Sequence, residues 1–448
     1  MAHEFDLRRY ETVLNPGVCD DDIAQADLGI RIISTSKDAD CSYDFSLFGP
    51  MIKNSDAQMN GLSFRNKYDM IALAGECRDT WRKALIEHRY RMEIDGKPRF
   101  LFPFQEKWDL HLEKEILDGI IPTLARAGEN LFTSIFEREC DNDLREAGKT
   151  LRRIMASGDR HLAITSDSLF QPWSMLYTHP EELGELKEDA SNAVREGFWG
   201  YRHIVQQTPK SFKHENAIRA DVTGRVPTSI NFDERLASAL QLPVIDEHVH
   251  FFCELGATKR TKKTELATVF GKQNRSKLER IIYFYCHGHG ADNGNGTGVP
   301  HLELTDGLVS SFDFQRWADG EKLSSNPLIF INACQGGQMT TMFYESFAVE
   351  LLKEGAAGLV GAQIDVPAVF AVEYAKQVFE KLFERSNDPK IRLGQIIKEV
   401  NRKLFDNSQN PLGLVYSLYR GADCFVDWSL TRDADEARLK TADDAVTG

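Results

Sequence analysis

The clearest structural signal in the chain comes from two apolar segments, Ile281-Ile282-Tyr283-Phe284-Tyr285-Cys286-His287-Gly288 and Leu328-Ile329-Phe330-Ile331-Asn332-Ala333-Cys334-Gln335-Gly336-Gly337. Each is a run of β-branched and aromatic residues of strand length that stops at one reactive side chain, with glycine close behind. The pattern predicts two buried strands, with His287 at the end of the first and Cys334 at the end of the second. An imidazole beside a thiol converts a weak nucleophile into a thiolate and can later donate a proton to a leaving amine.

The spacing of the two reactive residues favours catalysis. Cys334 follows His287 by 47 residues. Caspase-type peptidases carry their nucleophile in a Gln-Ala-Cys-x-Gly motif, with the histidine about 50 residues upstream. Taken singly, His287 would be a hydrogen-bonded histidine at a strand end, and Cys334 a small buried apolar residue. Taken together, with their glycines, they predict a cysteine peptidase.

Length and composition describe a protein that buries a large core. The chain has 448 residues, of which 42% are hydrophobic, and two or three domains are expected. Its eight cysteines are scattered without a CxxC pair, which argues against a zinc ribbon and against a secreted disulfide framework. The amino terminus lacks the order of a signal peptide, and no stretch approaches about 18 uninterrupted apolar residues. We therefore expect reduced thiols, a cytoplasmic location, and neither a targeting segment nor a membrane span.

Charge limits the classes of partner. The net charge of −14 argues against affinity for anionic membranes and for nucleic acid. Any contact with nucleic acid is expected only through a partner protein. One basic stretch, residues 259–280, holds eight lysines and arginines against two glutamates. It fits either a solvated helix with its loops, or an exposed loop that docks a partner or is cleaved during regulation.

Helix and strand patterns alternate along most of the chain, which predicts an α/β fold with a parallel sheet. Further strands are predicted at His161–Thr165, Val244–Phe252, Ala357–Gln363 and Leu414–Tyr419, and helices at Leu144–Met155, Thr264–Phe270, Phe312–Trp317, Met342–Lys353, 368–385 and 391–405. In such sheets active residues lie at the carboxyl ends of strands, where His287 and Cys334 are predicted. Residues 1–95 are less regular, and form either a small accessory domain or strands that extend the main sheet. Residues 431–448 are polar and predict a disordered tail.

The chain also resembles the CHAT-domain peptidases, which belong to the caspase-like group that contains separase. The resemblance lies in His287-Gly288, in the segment from Asn332 to Gly337 and in Gly355–Gly361, with weaker likeness at Pro172–Tyr177 and Asn410–Tyr416. It covers roughly residues 100–428. The chain departs from the family at Ser174, where an acidic residue is usual, and in the long glycine-rich loop after His287.

The resemblance implies a caspase-like α/β fold, in which helices flank a mostly parallel sheet, with a smaller N-terminal region. It divides the chain into an accessory or sensing region at 1–95, a first half of the CHAT domain at 96–235 and a catalytic half at 236–430. It places an oxyanion site at the backbone N–H groups of Gly288 and Cys334. CHAT peptidases are often bacterial effectors in antiviral or programmed-death systems. The resemblance thus implies a regulated endopeptidase that cleaves one dedicated protein partner and is activated by a protein, a ligand or cleavage.

Two neighbours of His287 bear on the choice of catalytic groups. Cys286 precedes the histidine directly, so it points to the opposite face of the strand and is expected in the core. His289 is the alternative base, because its ring lies on the same side as that of His287 if the strand continues. His287 is preferred because the family motif has its histidine directly after the strand.

Two further residues are candidates for substrate binding. Asn332 lies two positions before the thiol, where caspases carry a glutamine that helps to accept an aspartate side chain. Asp365 follows a predicted strand, where the family lines its first specificity pocket. Its carboxylate either selects a basic residue before the cleaved bond or caps the helix that begins near Ala368. Substrate preference is left open by the sequence.

Parts of the sequence are compatible with two other functions. The run from His287 to Asp292 is similar to the HxHxDH signature of metallo-β-lactamase-type hydrolases, but position 291, where the acid is needed, is alanine. His248 and His250 would share a strand face and add potential ligands. The other alternative is a catalytically latent caspase-like module that binds or scaffolds a partner. Neither a catalytic metal nor a cofactor is expected.

Overall fold

The computed structural model describes most of the chain: residues 26–35, 42–52, 58–94, 97–166, 168–179, 192–209, 215–236, 243–270, 279–289, 300–318, 323, 325–333, 341–385 and 391–429. Three features singled out on the sequence lie outside the described residues. They are Cys334, most of the glycine-rich loop after His287, and the polar tail at 431–448.

A large, mostly parallel sheet of thirteen strands lies at the centre of the described part of the chain. The described strands are, in chain order, β1 (Leu28–Ser34), β2 (Tyr43–Phe48), β3 (Gln58–Ser63), β4 (Tyr90–Ile94), β5 (Lys97–Leu101), β6 (His161–Ser166), β7 (Ile204–Thr208), β8 (Ala217–Arg219), β9 (Thr228–Phe232), β10 (Thr258–Arg260), β11 (Ile281–His289), β12 (His301–Leu304), β13 (Gly307–Ser310), β14 (Leu328–Ala333), β15 (Gly358–Ala362), β16 (Tyr416–Tyr419) and β17 (Phe425–Asp427). Four of them lie outside the large sheet and form two separate pairs, β4 with β5 and β8 with β17. Across the sheet the order is β10-β9-β11-β14-β15-β16-β7-β6-β1-β2-β3, and the β12–β13 hairpin attaches to β11.

Helices flank this sheet and bury both of its faces. They are α1 (Lys67–Trp81), α2 (Pro103–Glu106), α3 (Lys114–Phe136), α4 (Asn142–Ala156), α5 (Asn192–Arg195), α6 (Trp199–Arg202), α7 (Pro243–Glu254), α8 (Lys263–Phe270), α9 (Ser311–Ala318), α10 (Thr341–Lys353), α11 (Ala368–Leu382) and α12 (Leu393–Asn407). A π-helix, Arg82–Ile86, continues α1. Along β11, alternate residues pack into two separate apolar clusters, one on each face of the sheet. No described helix combines the length and the apolar composition needed to cross a bilayer.

The parallel pairing concentrates strand ends at one edge. Strands β9, β11, β14 and β15 run parallel to one another, so their carboxyl ends meet at the same edge of the sheet. Strand β16 then pairs antiparallel with β15 and parallel with β7, which links the two halves of the sheet. The α/β fold predicted from the alternating pattern, with helices flanking a mostly parallel sheet, is confirmed.

The N-terminal residues belong to this same sheet. Strand β1 pairs parallel with β6. Strands β2 and β3 then continue the sheet beyond β1 as antiparallel neighbours. Of the two options that the sequence left open for this region, the structure shows strands that extend the main sheet. Helix α1 is capped by Asn66, whose side chain accepts a hydrogen bond from the Asp69 N–H, and the Asp69 carboxylate accepts one from the Asn66 N–H.

One of the predicted strands is wrong. The segment Val244–Phe252, predicted as a strand, lies within helix α7. Its buried side chains are Ile245, His248 and Phe252, at the three- and four-residue spacing of a helix face. The signal that was missed is Pro243, since proline is favoured in the first turn of a helix, where its absent N–H is not needed.

Candidate active site

The register between β11 and β14 explains the spacing of the two reactive residues. Ile281 pairs with Leu328, and the same offset of 47 positions continues to Cys286 and Ala333, the last described pair. In the sequence, His287 directly follows Cys286 and Cys334 directly follows Ala333. Cys334 itself lies outside the described residues, whereas Ala333, directly before it, is buried at the strand end.

The predicted end of strand β11 at His287 is wrong, because β11 continues to His289 and its last three residues pair with β12. The condition under which His289 is the alternative base, with its ring on the same side as that of His287, is therefore met. His287 lies opposite Glu303, Gly288 opposite Leu302, and His289 opposite His301. The chain after β9 is hydrogen-bonded to the β12 segment, because the Glu234 N–H donates to Thr305 Oγ1. The β12 hairpin therefore occupies the β9 side of β11. In the described residues, no strand pairs with the extension on its β14 side.

His289 is held by a carboxylate. Its Nε2 lies 2.6 Å from Glu303 Oε2. The other Glu303 oxygen accepts a hydrogen bond from Arg235 at 2.6 Å, and Arg235 also donates to both carboxylate oxygens of Asp233. Burial raises the pKa of Glu303, but the bonds from His289 and Arg235 outweigh burial and hold that pKa below its ordinary value. Glu303 is therefore a carboxylate that orients the His289 ring.

Cys286 and Asn332 both point into the interior. The Cys286 side chain is fully buried in the smaller apolar cluster, which confirms that it faces away from His287. Asn332 is also buried, at 1% exposure. Its amide donates to Tyr283 Oη at 3.1 Å and to the Ala371 carbonyl at 2.7 Å, and its oxygen accepts from Tyr416 Oη at 2.6 Å. A direct contact between this side chain and a substrate would require these bonds to be exchanged.

Asp365 lies three residues after the end of β15, at the same sheet edge as His287. Its Oδ1 is buried and accepts no hydrogen bond from the described part of the chain. Burial raises the pKa of the Asp365 carboxyl to about 6, against the opposing effect of the positive charge of Arg82. Helix α11 begins with Pro367 as its N-cap residue and has no side-chain cap. The capping role considered for Asp365 is therefore wrong, and its carboxylate is left for another partner.

The histidines weighed as metal ligands lie apart on α7. His248 is buried and its Nε2 lies 2.8 Å from Tyr283 Oη, whereas the His250 side chain is 72% exposed and pairs with Glu254. The expectation that the two rings share one face is wrong, because the segment is a helix and not a strand. Among the described residues, no group of three or more histidine, cysteine, aspartate or glutamate side chains is arranged to hold a metal ion.

Several residues of this edge escaped the sequence analysis. Glu303, Arg235, Arg78 and Gln363 carry no local motif, and the bonds from Arg235 to Glu303 and from Arg78 to Gln363 join distant parts of the chain. Arg78 and Gln363, for example, are hydrogen-bonded across 285 positions. Only the pairing of strands brings such side chains together, so the one available signal was the presence of charged or amide groups next to predicted strand ends.

A model of a known protein family and a curated protein both match this chain. The model of peptidase family C25 matches residues 255–421, a segment that contains β11, β14, β15, β16 and the positions of His287 and Cys334. A probable protease from Vitiosangium sp. (strain GDMCC 1.1324) is 26% identical over 251 residues, which is 51% of this chain and 30% of that protein. The chain is thus similar to a peptidase family over the part that contains these strands, and to a probable protease.

Solved structures give a weaker likeness. Two crystal structures of the Saccharomyces cerevisiae separase–securin complex match 78% of this chain and 22% of the matched chain, with TM-scores of 0.34 and 0.32 and identities of 10% and 13%. The chain thus spans less than a third of the length of the curated relative and of these solved structures.

Proposed function

We propose that this chain is a regulated cysteine endopeptidase, with Cys334 as nucleophile and His287 as its general base. The observation that carries the proposal is the β11–β14 register, in which Cys286 pairs with Ala333, the residues directly before His287 and Cys334. The match to peptidase family C25 over residues 255–421 supports the same chemistry. His287 is preferred to His289 on the CHAT resemblance, in which the histidine directly follows the apolar run.

In the proposed reaction His287 takes the thiol proton, and the Cys334 thiolate attacks the carbonyl carbon of the scissile peptide bond. The negative charge on the carbonyl oxygen is stabilised by the backbone N–H groups of Gly288 and Cys334. Protonated His287 then donates its proton to the departing amine, which leaves a thioester on Cys334. Water, deprotonated by His287, hydrolyses the thioester and restores the thiol.

Substrate binding is proposed for Asp365 and, indirectly, for Asn332. The carboxylate of Asp365 has a buried oxygen without a described hydrogen-bond partner, and a basic side chain before the cleaved bond would supply one. Asn332 is engaged in the core, so we assign it the support of the strand end that leads to the thiol. Cleavage is therefore expected after arginine or lysine.

The proposed setting follows from the CHAT resemblance. We propose that the chain is a CHAT-domain effector of a bacterial defence or programmed-death system, in the cytoplasm, and that it cleaves one dedicated protein. Low basal turnover and activation by a protein, a ligand or cleavage belong to this proposal, because unrestrained proteolysis would harm the host cell. The absence of a cofactor requirement is part of the proposal as well.

The experiment is cleavage of a proteome-derived peptide library, with products identified by mass spectrometry. Parent protein, Cys334→Ala and the matched control Cys253→Ala, which alters an exposed cysteine on α7, are compared with and without a chelator. Cleavage after basic residues that survives the chelator and Cys253→Ala, and disappears in Cys334→Ala, supports the proposal. Cleavage that persists in Cys334→Ala contradicts the thiol mechanism, and chelator-sensitive cleavage would favour a metal hydrolase.

A further inference from the structure

Helix α1 of the N-terminal region reaches the loop that carries Asp365. Arg78, near the end of α1, is buried at 7% exposure. Its Nε and Nη2 donate to the side-chain oxygen of Gln363 at 2.9 and 2.6 Å. Gln363 directly follows β15 and is two residues before Asp365, so the contact fixes the start of the loop.

Gln363 is also hydrogen-bonded to the sheet. Its amide nitrogen donates to Ser417 Oγ at 2.9 Å and to Tyr419 Oη at 2.7 Å, both on β16. Its backbone N–H donates to the Val415 carbonyl at 2.8 Å. One side chain is therefore bonded to α1 on one side and to β16 on the other, and a buried amide with this many bonds adopts a single position.

A second arginine lies on the same face of the helix. Arg82, one turn after Arg78, begins the π-helix and is close enough to Asp365 to oppose the rise in its pKa. It is bonded to Asp79 at 2.6 Å and also to Glu87. These two carboxylates hold the Arg82 guanidinium, which leaves the Asp365 carboxylate for another cation.

We propose that Arg78 is a positioning residue of the substrate pocket: through Gln363 it fixes the loop in which Asp365 receives the basic side chain that precedes the cleaved bond. The N-terminal region thus contributes to substrate affinity and does not act only as a separate sensing unit. This inference rests on the proposed function, since it assigns a pocket to the same site. Asp365 would contact substrate, whereas Arg78 acts on it through Gln363.

The test measures peptide affinity without turnover. Protein carrying Cys334→Ala is titrated with acetyl-Ala-Ala-Arg-amide, with acetyl-Ala-Ala-Gln-amide as the uncharged comparison, and binding is followed by calorimetry. Adding Arg78→Ala is expected to weaken binding of the arginine peptide about tenfold or more, because a charged hydrogen-bond pair is lost. Gln363→Glu should retain binding, since a carboxylate accepts both N–H groups of Arg78. Glu76→Gln, an exposed change on the same helix, is the matched control.

Cleavage kinetics distinguish positioning from a general structural role. In protein with Cys334 intact, Arg78→Ala should raise KM for a substrate with arginine before the cleaved bond and change kcat less than threefold. Arg78→Lys, which keeps one donor, should fall between parent and Arg78→Ala. If Arg78→Ala does not fold, as judged by circular dichroism, Arg78→Lys and Gln363→Glu carry the comparison.

Three results would overturn the inference: unchanged affinity in the Arg78 variants, an equal loss in Glu76→Gln, or no preference of the parent for the arginine peptide. Failure of the proposed function is seen separately. It would show as cleavage by the parent protein that does not depend on Cys334.

Discussion

The Asp365 carboxyl, which we propose binds substrate, lowers the stability of the folded protein. A buried carboxylate oxygen without a hydrogen-bond partner destabilises the folded state. The chain tolerates it at the sheet edge where His287 also lies. Its pKa of about 6 means that the carboxyl binds a proton in the folded protein at a pH where the unfolded chain, with the ordinary value of 3.8, has already lost it.

Replacing this carboxyl is expected to separate stability from function. At pH 7 the Asp365 carboxyl is ionised in both states, but the buried charge costs free energy only in the folded protein. Asp365→Asn removes this charge and should therefore raise the free energy of unfolding by about 1–2 kcal/mol. The same change should abolish the preference for basic residues. In the parent, KM for a basic substrate should rise as the pH falls through about 6, because the carboxylate becomes neutral. Urea unfolding and pH-dependent kinetics check both effects, and a loss of stability in Asp365→Asn would contradict this account.

At the residue scale, the sequence predicts the end of a strand better than the surroundings of a side chain. His287 and Asp365 were found because each follows a predicted strand. The hydrogen bonds of Asn332 to Tyr283, Tyr416 and Ala371 were not predictable, because they join four separate elements. A buried amide and a substrate-binding amide have the same local sequence signal.

At the scale of elements, continuous apolar runs predicted β11 and β14, whose residues are buried on both faces of the sheet. Segment 244–252 was mistaken for a strand, because its apolar and polar residues alternate over a short window as well as following a helical period. The N-terminal strands β1 to β3 could not be assigned to the main sheet from sequence, since pairing with β6 depends on residues more than 130 positions away.

Two glycines, one closely packed and one in open space, are expected to respond in opposite ways to replacement by alanine. Gly61 on β3 lies against α4, and a Cβ there would lie 2.3 Å from the Leu144 backbone nitrogen. Gly61→Ala should therefore lower the free energy of unfolding by about 2–3 kcal/mol. Gly119 on α3 has open space around it, so Gly119→Ala should raise stability by about 1 kcal/mol through helix propensity. Denaturant midpoints measure both, and a neutral Gly61→Ala would contradict the close packing of β3 on α4.

At the scale of the whole molecule, two buried neutral histidines make stability depend on pH. Burial lowers the pKa of His248 to about 3, and burial, with a smaller effect of the Arg202 charge, lowers that of His203 to about 3. In the unfolded chain each regains the ordinary value of 6.5. Below that pH the unfolded state binds protons that the folded state does not, so stability is full above pH 6.5 and falls as the pH drops.

Lowering the pH from 7.5 to 5.5 should therefore cost about 1 kcal/mol for each of these histidines. Asp365 opposes the loss, because its folded-state pKa is raised and protonation favours the folded protein. His248→Gln and His203→Gln should each reduce the difference in unfolding free energy between the two pH values. His250→Gln, which alters an exposed histidine on the same helix as His248, should leave that difference unchanged. Equal effects of His248→Gln and His250→Gln would contradict the burial argument.

The central claim is that His287 activates Cys334, and the rate of Cys334 alkylation by iodoacetamide as a function of pH tests it most directly. Mass spectrometry of the labelled peptide separates Cys334 from the other seven cysteines. A thiol paired with a histidine should be alkylated with a midpoint well below the ordinary pKa of about 8.5. We expect that low midpoint in the parent and in His289→Ala, and a shift towards 8.5 in His287→Ala. The same midpoint in His287→Ala as in the parent would contradict the dyad.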